Sequence, residues 1–323
     1  MIISKVDMKA ILAKMMRSYR LIAPASNGKV VDFLEITDVD AVLMDNRIAY
    51  KSLKEFFLPQ YEKLMSFENG EAVANVSRLE KIIFGAKPCD LEALDTMSQV
   101  FIQGKFEDPY FAAHFENNLI IGTGCQEKKP GCFCEQVSVD MGYSNKCDLF
   151  LEDMGNSYRV LYVSDRGKEK LTPFIPELSN FDEVHEAKQL TPALGLPQDT
   201  AKTFHQVDWE SAVEICQGCG LCTFICPTCH CFLFKESPNS RYRSWDSCMF
   251  QKSTLHASGH NPRESKTERY RNRVLHKFVY ISQNIGAAAC TGCGRCIRSC
   301  PAGMNIQRIV QEIQAELSLE GLS

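Results

Sequence analysis

Long apolar runs are missing from this sequence; none approaches the ~18 residues that a bilayer-spanning helix needs. The opening residues, Met1-Ile2-Ile3-Ser4-Lys5-Val6-Asp7, lack the charged and apolar regions of a secretory leader. Together the two absences make the cytoplasm the expected location. A charge excess is missing too. Lys and Arg number 36 against 40 Asp and Glu, and the net charge of −4 argues against nucleic acid as the main partner. There is no G-x-G-x-x-G, Gly122-Thr123-Gly124 being too short to count, and no P-loop. No serine or cysteine triad, nickel-site pattern, flavin site or nicotinamide site can be picked out.

Cysteine is what the chain has in excess. It has 16 in 323 residues, and cytosolic thiols stay reduced, so metal binding explains them better than disulfides. The spacing supports this. Cys216-Gln-Gly-Cys219-Gly-Leu-Cys222-Thr-Phe-Ile-Cys226-Pro227 recurs as Cys290-Thr-Gly-Cys293-Gly-Arg-Cys296-Ile-Arg-Ser-Cys300-Pro301. Both runs match the bacterial ferredoxin pattern, in which a close triplet holds three irons of a cubane and the fourth cysteine ligates the other cluster. The expected cofactors are two [4Fe–4S] clusters with crossed ligation. One takes Cys216, Cys219, Cys222 and Cys300; the other takes Cys290, Cys293, Cys296 and Cys226. Gly218, Gly220, Gly292 and Gly294 suit loops that curl round a cluster and leave backbone N–H groups free to reach sulfur. Structural zinc also uses four thiolates, but two complete runs ending in proline fit the cluster pattern better. Crossed ligation makes the clusters neighbours, able to exchange electrons.

The expected fold class is α+β. An N-terminal α/β domain (1–200) is followed by a mainly helical, ferredoxin-like two-cluster domain (201–323) with an insertion at 229–289. Lys5 to Tyr19 reads as an amphipathic helix with Ile11, Leu12, Met15, Met16 and Tyr19 on one face. Lys81 to Gly85 and Leu119 to Gly122 read as buried strands around a helix that Asp90 would cap, a βαβ unit. Leu149 to Leu151 and Tyr158 to Val163 read as a hairpin. Pro173 to Gln206 reads as a linker, Asp208 to Ile215 as a short helix, and Asn305 as the cap of a final helix.

Parallel strands would bring Cys89 and Cys125 to one sheet edge, where ligands normally sit. With Cys132 and Cys134 close behind in sequence, they make a candidate third [4Fe–4S] cluster; zinc and buried apolar cysteines are the rival readings. Cys147 reads as core. In the insertion, Cys229, Cys231, Cys248 and His230 could bind another metal, but their spacing favours packing around the first cluster. Its basic residues (Arg241, Arg243, Arg263, Lys266, Arg269, Arg271, Arg273 and Lys277) read as solvated, as compensating anionic clusters, or as steering an acidic redox partner. His256, His260 and His276 are scattered and suggest no chemistry.

These motifs, with Lys87-Pro-Cys-Asp90, Gly131-Cys-Phe-Cys134, Cys226-Pro-Thr-Cys-His-Cys-Phe232, Trp245-Asp-Ser-Cys-Met249, Gly259-His-Asn-Pro-Arg263 and His276-Lys-Phe278, resemble a known family. It is the iron–sulfur beta subunit of cytoplasmic NiFe hydrogenases of the sulfhydrogenase type. The electron-transfer subunit of anaerobic sulfite reductase is similar to it and is the close alternative. The resemblance implies a non-catalytic subunit passing electrons between a flavoprotein subunit, NAD(P)H- or ferredoxin-linked, and a catalytic oxidoreductase subunit. It leaves the catalytic partner open and adds weight to the third cluster. A stand-alone enzyme with a substrate-binding N-terminal cluster is the alternative of another class.

Overall fold

The computed structural model describes residues 1–319 except 46, 184, 287 and 288. Contacts divide the chain into two compact units: Met1–Phe57, Val76–Lys129 and Val139–Leu190 form the first, and Leu58–Asn75, Pro130–Ser138 and Thr191–Ser323 the second. The division is therefore not one cut near residue 200. Two early segments belong with the C-terminal unit, a long-range assignment that local sequence signals do not carry.

The first unit is built on a mixed seven-stranded sheet. Its centre is four parallel strands, in spatial order Leu149–Asp153, Asn118–Thr123, Lys81–Ala86 and Arg20–Ser26. Antiparallel strands Ser157–Val163, Ile2–Ser4 and Val31–Ile36 complete it. The central strands read as nearly unbroken apolar runs because both faces are covered. The expected βαβ unit and hairpin are both present. The first helix, Lys5–Met15, is capped by the Ser4 hydroxyl and buries Met8, Leu12 and Met15; it stops short of Tyr19. The helix Pro88–Phe101 is entered from Lys87 with proline at its first position, and Asp90 lies in its first turn rather than at the cap. Proline suits that position because its missing N–H would have had no helical partner.

A buried carboxylate ties the strand Asn118–Thr123 to a further helix, Asp165–Leu171. Asp148 accepts the Ile120 N–H at 2.7 Å and Arg166 Nε and Nη2 at 2.9 and 3.0 Å. Cys147 beside it is directed at the Leu149 carbonyl at 3.4 Å, and burial raises its pKa, in keeping with a packing role.

The second unit is less purely helical than the sequence indicates. The insertion forms an antiparallel hairpin, Phe232–Ser237 with Ser240–Trp245, which pairs with Tyr61–Glu68 and then Glu71–Ala74. Trp245 Nε1 donates to the Leu58 carbonyl at 2.8 Å, and Arg243, 1% exposed, is paired with Glu62 at 2.6 Å. The helical core of this unit gathers Trp209, Val213, Tyr270, Val274, Phe278 and Val310. Asp208 caps the short helix Trp209–Ala212. Asn305 Oδ1 accepts the Arg308 N–H at 3.2 Å at the start of Ile306–Leu319.

Replacing Asp148 by alanine would leave the buried Ile120 N–H without its acceptor, whereas Arg166, 36% exposed, keeps the Glu116 and Asn118 carbonyls. Leaving one buried N–H unsatisfied costs about 1–3 kcal/mol. Denaturant titration followed by far-UV circular dichroism should show that loss as an early transition in the first unit.

Candidate metal centres

Each ferredoxin-type loop is shaped by two glycines that must take the left-handed conformation. Gly218 and Gly220 have φ of +67° and +78°; Gly292 and Gly294 have +60° and +69°. A side chain there would be strained, and at three of them, Gly220, Gly292 and Gly294, it would also collide. A Cβ on Gly220 would lie 2.7 Å from the Phe250 ring, and one on Gly292 would lie 2.5 Å from the Cys134 backbone nitrogen. Short helices, Leu221–Phe224 and Arg295–Arg298, follow the loops.

The loops do not keep their fourth cysteines to themselves. Cys216, Cys219, Cys222 and Cys300 line one cavity, with Arg273 and Tyr270 on its wall and Cys296 also reaching it. Backbone donors point at two of the sulfurs: Gly218 N–H to Cys216 Sγ at 3.4 Å and Met304 N–H to Cys300 Sγ at 3.3 Å. Cys226, at the tail of the first run, lies with the second. Burial raises the Cys290 thiol to about 11 and the Cys296 thiol to about 12, and Cys226 adds to both shifts as a neighbouring negative charge. Cys226 also acts on Cys222, so the two sets adjoin.

The juxtaposition of Cys226 and Cys290 has a visible cause. Lys277 Nζ donates to Thr228 Oγ1 at 2.7 Å and to the Ala289 carbonyl at 2.9 Å, while Thr228 Oγ1 donates to that carbonyl at 2.7 Å. Cys226 Sγ is 3.3 Å from Thr228 Oγ1, and the Ala289 N–H returns to the Lys277 carbonyl at 2.9 Å. The residue two after Cys226 is thereby tied to the residue just before Cys290. Burial works against the Lys277 ammonium, yet Cys226, Cys229 and Cys290 hold its pKa above the ordinary lysine range. A hydrogen bond from Cys229 and the charges of Lys277 and Arg273 hold Cys226 well below the usual thiol range, against burial.

The donor set fits iron–sulfur cubanes. Four thiolates on a cluster leave net negative charge, and two buried cations stand beside them. Arg273 donates through Nη2 to the Cys222 carbonyl at 3.2 Å, whereas its buried Nε and Nη1 have no hydrogen-bond partner. Among the described residues, no three His, Cys, Asp or Glu side chains close on a single metal ion. A cubane spreads its four ligands further apart than one zinc ion does, since each reaches a different iron.

The other candidate cysteines fall in both units. In the first, parallel pairing of Lys81–Ala86 with Asn118–Thr123 puts Cys89 and Cys125 beyond the same sheet edge. Lys87 donates to Thr123 Oγ1 at 3.0 Å and to the Gly124 carbonyl at 3.4 Å. Burial lowers its pKa, and Cys125 and Cys89 are among the charges opposing that shift. In the second unit, Cys132 and Cys134 belong to a segment seated on the second loop. The Phe133 N–H meets the Gly292 carbonyl at 2.8 Å, and Arg298 Nη1 donates to Cys132 Sγ at 3.3 Å. Cys229 pairs with Cys226 and Cys231 with Cys248 through their sulfurs. His230 and His276 meet at 5.8 Å between ring centroids, a pairing that nothing local in the sequence announces.

A family model described as a 4Fe-4S dicluster domain matches residues 215–304. The chain is also similar to the sulfhydrogenase 2 subunit beta of Pyrococcus furiosus. It is 27% identical over 316 residues, which cover 92% of this chain and 93% of that protein. No solved structure matches. The dicluster match supports two [4Fe–4S] clusters. No helix among the described residues is long and apolar enough to cross a membrane.

Gly292→Ala would drive a side chain into the Cys134 backbone. Iron analysis of the anaerobically purified variant should show about half of the dicluster iron lost, while Gly155→Ala, at an open turn, should keep it all.

Proposed function

We propose that this chain is the electron-transfer component of a cytoplasmic multi-subunit oxidoreductase of the hydrogenase or sulfur-reductase type. It relays electrons between a flavoprotein and a catalytic subunit. The observation that carries the reading is the exchange of fourth cysteines: Cys300 in the cavity of the first triplet and Cys226 among the second. Two clusters wired in this way stand close enough to hand electrons on, which structural metal sites would not need. The similarity to a hydrogenase beta subunit, which extends along nearly the whole chain, supports the same relay.

Each cluster, when bound, supplies a one-electron carrier. The protein's own residues do the rest: eight thiolates (Cys216, Cys219, Cys222 and Cys300; Cys290, Cys293, Cys296 and Cys226) hold the irons, glycine loops bring N–H groups to the sulfurs, and buried cations offset the charge. A third cluster on Cys89, Cys125, Cys132 and Cys134 is part of the proposal. It is supported by the parallel pairing that puts Cys89 and Cys125 beyond the same sheet edge.

Anaerobic purification from the native host should give a brown complex containing a flavoprotein and a catalytic oxidoreductase. Isolated chain should hold about eight irons for the dicluster and about twelve with the third cluster. Colourless protein with stoichiometric zinc, or a chain that turns over substrate unaided, would contradict the relay. Cys226→Ala should damage the cluster of Cys290, Cys293 and Cys296, although it lies in the first run. Selective loss of the Cys216 cluster would refute the crossed assignment.

A further inference from the structure

Among the described residues of the insertion three cations are buried; Arg243 is paired with Glu62, which leaves Arg273 and Lys277. They are 2% and 3% exposed, and among the described residues neither has a carboxylate partner. Burying a charge without an opposite charge is costly, so both need compensation from elsewhere. The helix that carries them starts at Ser265 with a reciprocal cap to Glu268, runs Lys266–Leu275, and widens into a π-helical turn at His276–Tyr280. Such a turn often marks a functional position. Residues four apart share a helix face, and this face meets the thiol sets. Lys277 holds Thr228 Oγ1, itself 3.3 Å from Cys226 Sγ, and the carbonyl of Ala289, next to Cys290. Arg273 donates to the Cys222 carbonyl and lines the cavity that Cys222, Cys296 and Cys300 share.

We propose that Arg273 and Lys277 are positioning charges that set the reduction potentials of the two clusters. Lys277 acts on the cluster ligated by Cys226 and Cys290, and Arg273 acts on both through Cys222 and Cys296. The inference rests on the two-cluster reading. Reduction adds one electron to a cluster and breaks no bond, so its core becomes more negative by one charge. A fixed cation nearby stabilises that reduced form and raises the potential; net charge is one of the levers on such potentials. The effect is strong where water is excluded, because the local dielectric is low. Because the two cations are shared unequally, they also set the gap between the clusters, and with it the direction in which an electron settles.

The test is a dithionite titration of the anaerobically purified full chain, read by EPR, alongside iron and zinc analysis. Lys277→Gln should lower one potential and Arg273→Gln both, with iron unchanged. Lys277→Arg and Arg273→Lys should keep wild-type values. Glutamine variants with full iron and wild-type potentials would overturn the proposal and leave the two-cluster reading intact. A wild-type chain with zinc and no iron–sulfur signal would instead defeat that reading. If both glutamine variants lose iron, full iron in the charge-preserving pair upholds the role of charge. Loss in all four variants overturns it.

Discussion

A lysine ammonium taken out of water must be met by oxygen acceptors and by negative charge, and Lys277 is met by both. Its hydrogen bonds to Thr228 and Ala289 gather the end of one cysteine run and the start of the other around one buried point. The rest of the second unit follows from that knot. Cys226 comes to lie with Cys290 and Cys296, and its own loop is left with a cavity that Cys300 completes. The surrounding core of Trp209, Tyr270, Phe278 and Val310 keeps water away, which strengthens every charge interaction inside it.

Local chemistry was legible in the sequence, and distant pairing was not. The two cysteine runs, their glycines and the parallel strands around Cys89 and Cys125 are short patterns whose physics is contained in a few residues. Lys277 gave no such signal, because a lysine in a basic stretch reads as solvated. Its burial is decided by Thr228, 49 positions earlier. Arg243 reads the same way until Glu62, 181 positions away, is placed against it. The four-stranded sheet of the second unit was invisible for the same reason, since half of it comes from residues 61–74. Asp90 shows the converse error. Its residue type suits a cap, but the helix starts at the proline two positions before it, which moves the cap to Lys87.

The same distinction runs through function. A dicluster match over residues 215–304 and a hydrogenase beta subunit relative over most of the chain agree with the cysteine spacing on an iron–sulfur carrier. What the spacing leaves out is how the protein handles the charge of its cofactors. Buried cations, N–H groups directed at sulfur and a sulfur–sulfur hydrogen bond at Cys226 do that work, and all of them depend on tertiary structure.

The central claim is that each cluster is closed by a cysteine from the other run. An anaerobically grown crystal, phased on the anomalous scattering of iron, examines it directly. The account predicts two cubanes in the second unit, one on Cys216, Cys219, Cys222 and Cys300, the other on Cys290, Cys293, Cys296 and Cys226. Cubanes each held by the four cysteines of a single run, or single zinc ions in their place, would contradict it.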